Sequence, residues 1–173
     1  MISTKKISIK TGPPVEKEDF YGRERELEYA WLHLQKNSLL LSAPRRVGKS
    51  SFSKKMLQLA EESGWKVLYI DLQGIGSEEQ FVKLFINKLK SEKKWDVFEG
   101  TFSKLIKTID EIEVAGVKLN LNIWRSSVYD QLRDLMENSG EILIVIDELG
   151  IYLNNLLKQN AGREKVEFFL NFL

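Results

Sequence analysis

Residues 43–50 read Ala-Pro-Arg-Arg-Val-Gly-Lys-Ser and lie between an apolar run and an amphipathic stretch. The preceding run, Leu39-Leu40-Leu41, predicts a buried strand, because it is apolar throughout and does not alternate. After the loop, apolar residues recur at the spacing of one helix face: Phe52, Met56, Leu59 and Ala60. The sequence therefore predicts a strand, a short loop and a helix in succession.

This loop departs from the phosphate-binding pattern G-x-x-x-x-G-K-[ST] only at Ala43. In such a loop, backbone N–H groups and the positive end of the following helix point at phosphate oxygens. Lys49 is the candidate for bridging the β- and γ-phosphates of a nucleotide and for catalysis, and the Ser50 hydroxyl is the candidate ligand of Mg²⁺. The candidate nucleotide-binding residues of the loop are Ala43, Pro44, Arg45, Arg46, Val47, Gly48, Lys49, Ser50 and Ser51.

Two positions restrict this interpretation. Pro44 has no N–H to donate, so the phosphate cradle depends on residues 45–50. Ala43 is compatible with the loop only if its φ is negative, since glycine alone adopts positive φ without cost. The alternative interpretation of the stretch is an ordinary strand-to-helix turn with exposed basic residues.

A second cluster, Asp147-Glu148, closes the apolar run Ile142 to Ile146. Four of these five residues are β-branched, which predicts a strand covered on both faces in a parallel sheet. Asp147 is the candidate for holding Mg²⁺ through its water shell, and Glu148 is the catalytic candidate that polarises the attacking water. Alone, the pair is also compatible with a helix N-cap, and the upstream loop favours the metal site.

The remaining patterns predict an alternation of helices and strands. We expect an extended lead-in over residues 1–19, a domain from residue 20 to 173, and a small hairpin insertion at about 111–122. His33 lies off the apolar stripe of the first helix, which places it on the surface. Further elements are predicted as helix 24–36, strand 67–70, a helix opened by a Ser77–Gln80 capping box, a helix starting at Ser126 or Ser127, and helices 151–157 and 164–173.

Strands separated by helices predict an α/β fold with a mainly parallel sheet, in which ligands bind at the carboxyl ends of the strands.

Composition excludes several classes of site. The chain has 26 basic and 25 acidic residues, no cysteine and a single histidine, so disulfides, cysteine-ligated metals and histidine-rich metal sites are excluded. Residues 1–60 carry a net charge of +6, which favours an anionic ligand in that part, although a mixed solvated surface is equally compatible.

No direct nucleic-acid binding is indicated, and no apolar run approaches the roughly 20 residues of a membrane-spanning helix. We expect a cytoplasmic protein.

Four stretches carry a resemblance to a known family: Pro14-Val15, FYGRE (20–24), APRRVGKSS (43–51) and ILIVIDELGIYL (142–153). Taken in order, they resemble the prokaryotic, archaeal-type ATPase family. That family is related to the STAND and origin-recognition branches of the AAA+ superfamily. The resemblance implies a three-layer P-loop NTPase, with ATP and Mg²⁺ as cofactors. It makes Lys49 and Ser50 Walker A residues, and Asp147 and Glu148 Walker B residues. It also implies adenine contacts for Val15, Phe20, Tyr21 and Gly22, for which local packing on the first helix is the alternative. Gly150 stands where family members often have proline.

The family pattern includes a sensor strand between the P-loop strand and the Walker B strand, then an arginine finger and a helical lid. These do not fit after Leu173, so we expect the N-terminal part of an ATPase domain, completed by a protein partner or a missing C-terminal half. An unfilled sheet position predicts poor solubility or partner dependence for the chain alone. The leading functional hypothesis is an ATP-hydrolysing conformational switch, and the alternative is an ATP-binding module that does not hydrolyse.

Overall fold

The computed structural model describes residues 22–44, 46–91 and 121–173, with the backbone alone for residues 121–127. The chain divides into two compact units, Met1–Ser63 and Gly64–Leu173. The lead-in predicted over 1–19 lies outside the described residues, as does the hairpin predicted at about 111–122 except for its last two residues.

The first unit contains two described helices, α1 (Glu24–Leu34) and α2 (Lys49–Glu62). In α1 the predicted apolar stripe is confirmed, because Leu27 and Ala30 are buried and His33 is exposed. Phe52, Met56 and Ala60 form the buried face of α2. That helix ends as predicted at Ser63, where Gly64 adopts a φ of 87° that glycine accommodates without steric cost.

The buried strand predicted at Leu39-Leu40-Leu41 is wrong. These residues are in no strand, and their side chains are 39%, 78% and 39% exposed. A strand depends on hydrogen bonds to a neighbouring strand, and the described part of this unit contains no strand to supply them. An apolar run shows that burial would be favourable, but it does not show that a partner is present. The phosphate-loop candidates therefore follow an exposed segment that is in neither a helix nor a strand.

The second unit contains a small parallel sheet of two described strands, β1 (Lys66–Asp71) and β2 (Ile142–Asp147). They pair in the register Lys66↔Ile142 through Asp71↔Asp147. The unit mixes helices with this parallel sheet, which is compatible with the α/β class. The predicted burial of β2 on both faces is wrong, because only Leu143 is buried and the other residues of the strand are half-buried.

Four described helices accompany this sheet: α3 (Glu78–Ser91), α4 (Leu121–Glu137), α5 (Leu149–Leu157) and α6 (Gly162–Phe172). The last two begin two residues before their predicted starts. The predicted start of α4 at Ser126 or Ser127 is wrong, and so is the extension of the hairpin to 122. Leu121, Trp124 and Val128 continue the helical spacing of the apolar residues that follow, so the helix pattern extends upstream of the serines.

The capping box predicted for α3 is half correct. The N–H of Gln80 donates to Ser77 Oγ at 3.3 Å, as expected. The Gln80 carboxamide oxygen accepts from the N–H of Gly76 at 2.8 Å rather than from that of Ser77. The helix is therefore tied to the loop one residue earlier than in the standard motif.

The core of the second unit combines aliphatic residues with an aromatic cluster supplied by α3, α4, α5 and α6, whose members are Phe81, Phe85, Tyr129, Tyr152, Phe169 and Phe172. Phe81 is central, with its ring 4.9 Å from that of Phe169 in an edge-to-face arrangement. Burial raises the pKa of the Tyr152 hydroxyl, and the negative charge of the buried Glu78 raises it further. None of the helices in the described ranges has the length and apolar character needed to cross a membrane.

The exposure of Leu40 gives a direct test in the first unit. We expect Leu40→Ser to change the free energy of unfolding by no more than about 0.5 kcal/mol, as is usual for surface substitutions. The matched core variant Met56→Ala removes a side chain that is 2% exposed and should cost about 2–5 kcal/mol. Chemical denaturation measures both changes, and a cost for Leu40→Ser close to that of Met56→Ala would mean that residues 39–41 are buried.

Candidate functional site

The loop of residues 43–49 is closed on itself by its lysine. Lys49 Nζ donates to the carbonyl oxygen of Ala43 at 2.6 Å and to that of Pro44 at 3.0 Å. Lys49 is also the first residue of α2, so one side chain connects the beginning of the helix with the beginning of the loop. The ammonium is thereby held at the start of the loop by two backbone carbonyl groups.

The loop backbone turns through left-handed conformations at Arg46, with a φ of 64°, and at Gly48, with a φ of 85°. A left-handed conformation costs a residue other than glycine on the order of 1 kcal/mol, so Arg46 is held there by its surroundings. Ala43 is not among the non-glycine residues of positive φ in the described chain. Ala43 therefore avoids the positive φ that only glycine adopts without cost. Alanine in place of the first glycine of the pattern is compatible with the backbone at this position.

Gly48 is the N-cap residue of α2 and has no side chain with which to cap it. Most helices place a serine, threonine, aspartate or asparagine at this position, whose side-chain oxygen accepts from the first free N–H groups. At α2 the N-cap residue itself supplies no such oxygen. Ser50 and Ser51, the two hydroxyl candidates, are half-buried in the first turn of the helix.

Arg23 fixes the far side of the loop. Its Nη2 donates to the carbonyl oxygen of Val47 at 2.6 Å, in a part-buried contact. Arg23 is the N-cap residue of α1, so this hydrogen bond links the start of that helix to the loop. Arg23 lies within the FYGRE stretch, but the sequence patterns assign it no role. A hydrogen bond from its guanidinium to a carbonyl group 24 residues away has no signature in the local sequence.

Of the four candidates for contacts with adenine, the structure describes Gly22. This residue is exposed and has a φ of 81°. Its N–H donates to Glu24 Oε1 at 3.1 Å. Hydrogen bonds from the N–H groups of Glu24 itself and of Gly22 lower the pKa of the Glu24 carboxyl. The other three adenine candidates, Val15, Phe20 and Tyr21, lie outside the described residues, as does Arg45 of the loop.

Asp147 ends β2, as the sequence predicts, and both of its carboxylate oxygens accept hydrogen bonds. Tyr69 donates its hydroxyl proton to Oδ2 at 2.6 Å, and the N–H of Glu148 donates to Oδ1 at 2.9 Å. The carboxylate is half-buried at the carboxyl edge of the sheet. Tyr69 was missed by sequence reasoning, because its proximity to Asp147 follows from strand register and not from spacing along the chain.

Glu148 is the N-cap residue of α5 and adopts a left-handed conformation, with a φ of 56° and a ψ of 27°. Its side chain is exposed and makes no capping hydrogen bond. The carboxylate of Asp147 accepts from the N–H of Glu148, the residue that precedes the first helical residue. The Glu148 side chain therefore does not act as the helix cap of the alternative interpretation.

The loop that leaves β1 is held by amide side chains of the second unit. Asn155 Nδ2 donates to the carbonyl oxygen of Ile75 at 3.2 Å, and Gln159 Nε2 donates to that of Gly76. Lys165 Nζ donates to Gln159 Oε1 at 2.7 Å and orients the amide. These contacts fix residues 75–76 to α5 and to the turn after it, so the loop beside the carboxyl edge of the sheet has a defined path.

The acidic residues do not form a metal site by themselves. Within the described ranges, no group of three or more His, Cys, Asp or Glu side chains could hold a metal ion. Mg²⁺ in nucleotide sites keeps several waters and takes one or two carboxylates together with phosphate oxygens. The carboxylate of Asp147 and the hydroxyl of Ser50 are each hard oxygen donors, the kind of ligand that Mg²⁺ prefers.

The candidate residues are divided between the two units. Lys49 and Ser50 belong to the first, and Asp147 and Glu148 belong to the second. No family model, curated protein or solved structure matches the chain.

The Arg23 contact gives a prediction about the loop that does not depend on a ligand. A hydrogen bond with a charged donor contributes about 1.5 kcal/mol, so Arg23→Ala should lower the free energy of unfolding by about that amount. Arg25→Ala, which changes an exposed residue of the same helix, is the matched control and should change it by no more than about 0.5 kcal/mol. Equal free energies of unfolding in both variants, measured by chemical denaturation, would contradict a role for Arg23 in holding the loop.

Proposed function

We propose that this chain binds ATP with Mg²⁺ and hydrolyses it, as a cytoplasmic conformational switch module of the AAA+/STAND type. The observation that carries the proposal is the pair of hydrogen bonds by which Lys49, the first residue of α2, closes the loop onto Ala43 and Pro44. Its form supports a phosphate cradle more strongly than an ordinary turn, because the lysine side chain is folded over the loop instead of extending into solvent. The resemblance to archaeal-type ATPases extends the proposal to a three-layer P-loop NTPase fold.

Phosphate binding is assigned to the first unit. The N–H groups of the loop and of the first turn of α2 would donate hydrogen bonds to phosphate oxygens. The positive end of the helix dipole would add a favourable electrostatic potential there. Lys49 would exchange its hydrogen bonds to Ala43 and Pro44 for contacts with the β- and γ-phosphates, and Ser50 would offer its hydroxyl to Mg²⁺.

Hydrolysis is assigned to the acidic pair of the second unit. Mg²⁺, when bound with the nucleotide, neutralises charge on the phosphate oxygens. Asp147 would accept hydrogen bonds from the water shell of the cation, and Glu148 would accept one from the attacking water and orient it. The water oxygen forms a bond to the γ-phosphorus, the bond from that phosphorus to the β-phosphate bridging oxygen breaks, and ADP and inorganic phosphate leave.

Lys49→Ala tests nucleotide binding. Because the variant removes a charge-assisted hydrogen bond to phosphate, we expect ATP affinity to fall at least tenfold when titrated by calorimetry. Lys36→Ala, which removes an exposed lysine just after α1, is the control for loss of one positive charge and should bind ATP as the wild type does. Equal affinity in the wild type and Lys49→Ala would refute the proposal.

Glu148→Gln tests hydrolysis separately from binding. The amide keeps the size of the carboxylate but loses its charge, so we expect phosphate release to fall at least tenfold while ATP affinity stays within about twofold. Glu137→Gln, an exposed acid at the end of α4, is the matched control and should release phosphate at the wild-type rate. Background rates in the wild type and in Glu148→Gln alike would identify an ATP-binding module that does not hydrolyse.

A further inference from the structure

We infer that Tyr69 is a positioning residue for Asp147, which sets the orientation of that carboxylate toward the divalent cation. The inference rests on the proposed function, because the cation is the one that accompanies the nucleotide. Its basis is the 2.6 Å hydrogen bond from the Tyr69 hydroxyl to Asp147 Oδ2. This length falls in the range of O–H···O⁻ bonds, which are roughly twice as strong as neutral ones.

The strand register explains why a tyrosine is needed. Tyr69 pairs with Val145, while Asp71 pairs with Asp147, so Tyr69 and Asp147 are diagonal neighbours on adjacent strands. Diagonal side chains start about 7–8 Å apart at the backbone, a distance that aromatic and other long side chains can span. A serine or threonine at position 69 would be too short to reach, and a phenylalanine would have no proton to donate.

Two hydrogen bonds from different directions determine the plane of the carboxylate. The N–H of Glu148 holds Oδ1, and Tyr69 holds Oδ2. A carboxylate has about four lone-pair sites, so these two bonds do not by themselves exclude contact with the water shell of a cation. Without the Tyr69 hydroxyl, this bond no longer restrains rotation of the carboxylate about its Cβ–Cγ bond, which weakens its preferred direction toward the cation.

A purely structural role for the same hydrogen bond is the competing explanation. In that case Tyr69 would only join β1 to β2, and its loss would lower stability without affecting metal use. The two explanations differ in what happens to the cation dependence of nucleotide binding, which a change in stability alone does not alter.

The experiment compares wild type, Tyr69→Phe and the control Tyr29→Phe, in which an exposed hydroxyl is removed. ATP affinity is titrated first in EDTA and then across Mg²⁺ concentrations, and Mn²⁺ binding at saturating ATP is followed by electron paramagnetic resonance. For Tyr69→Phe we expect a five- to tenfold rise in the Mg²⁺ concentration at half-maximal effect and similarly weaker Mn²⁺ binding. ATP affinity in EDTA should stay within twofold, and Tyr29→Phe should match the wild type.

A double-mutant cycle with Asp147→Asn completes the test. If Tyr69 acts through the carboxylate, Tyr69→Phe should have no further effect on the Mg²⁺ midpoint once Asp147 is asparagine. A Mg²⁺ midpoint within twofold of wild type in Tyr69→Phe, even with a lower melting temperature, would overturn the inference and leave the proposed function intact. Absence of ATP binding by the wild type itself would instead overturn the proposed function, and this inference with it.

Discussion

The parallel pairing of β1 with β2 is the constraint on which the acidic part of the site depends. Its register brings Asp71 level with Asp147 and sets Tyr69 diagonally across from the latter. A shift by one residue would reverse the faces on which side chains lie and separate the tyrosine from the carboxylate. The chemistry proposed for Asp147 is therefore a property of the strand pair, not of the Asp-Glu dipeptide alone.

The buried aromatic cluster extends this constraint to the helix that follows Glu148. Tyr152 lies one turn into α5 and its ring is 5.0 Å from that of Phe169, while the N–H groups of Ile151 and Tyr152 both donate to the carbonyl oxygen of Glu148. Packing of Tyr152 thus anchors the first turn of α5, and that turn keeps Glu148 in its left-handed conformation. The cost of this conformation, on the order of 1 kcal/mol, is offset by burial of the helix.

Local patterns in the sequence predicted the helices of the first unit, both strands of the sheet and the acids at the end of β2. The predictions failed where burial or a hydrogen bond depends on residues that are distant in the chain. Leu39-Leu40-Leu41 has the composition of a buried strand but no described strand beside it, and the residues of β2 that were expected to be covered are half-buried. Tyr69 and Arg23 were missed for the same reason, since each donates a hydrogen bond to an atom more than 20 residues away in the chain. Their partners follow from tertiary structure, which periodicity does not encode.

The hydrogen bonds of Lys49 to Ala43 and Pro44 have a consequence for the thermodynamics of ligand capture. They join the two ends of the loop before any ligand arrives, so part of the conformational entropy that binding would cost has already been lost during folding. Because the acceptors are neutral carbonyl groups, these two contacts depend less on ionic strength than ion pairs would. An anion bound as proposed would have to displace the two lysine contacts, so their strength sets part of the cost of binding.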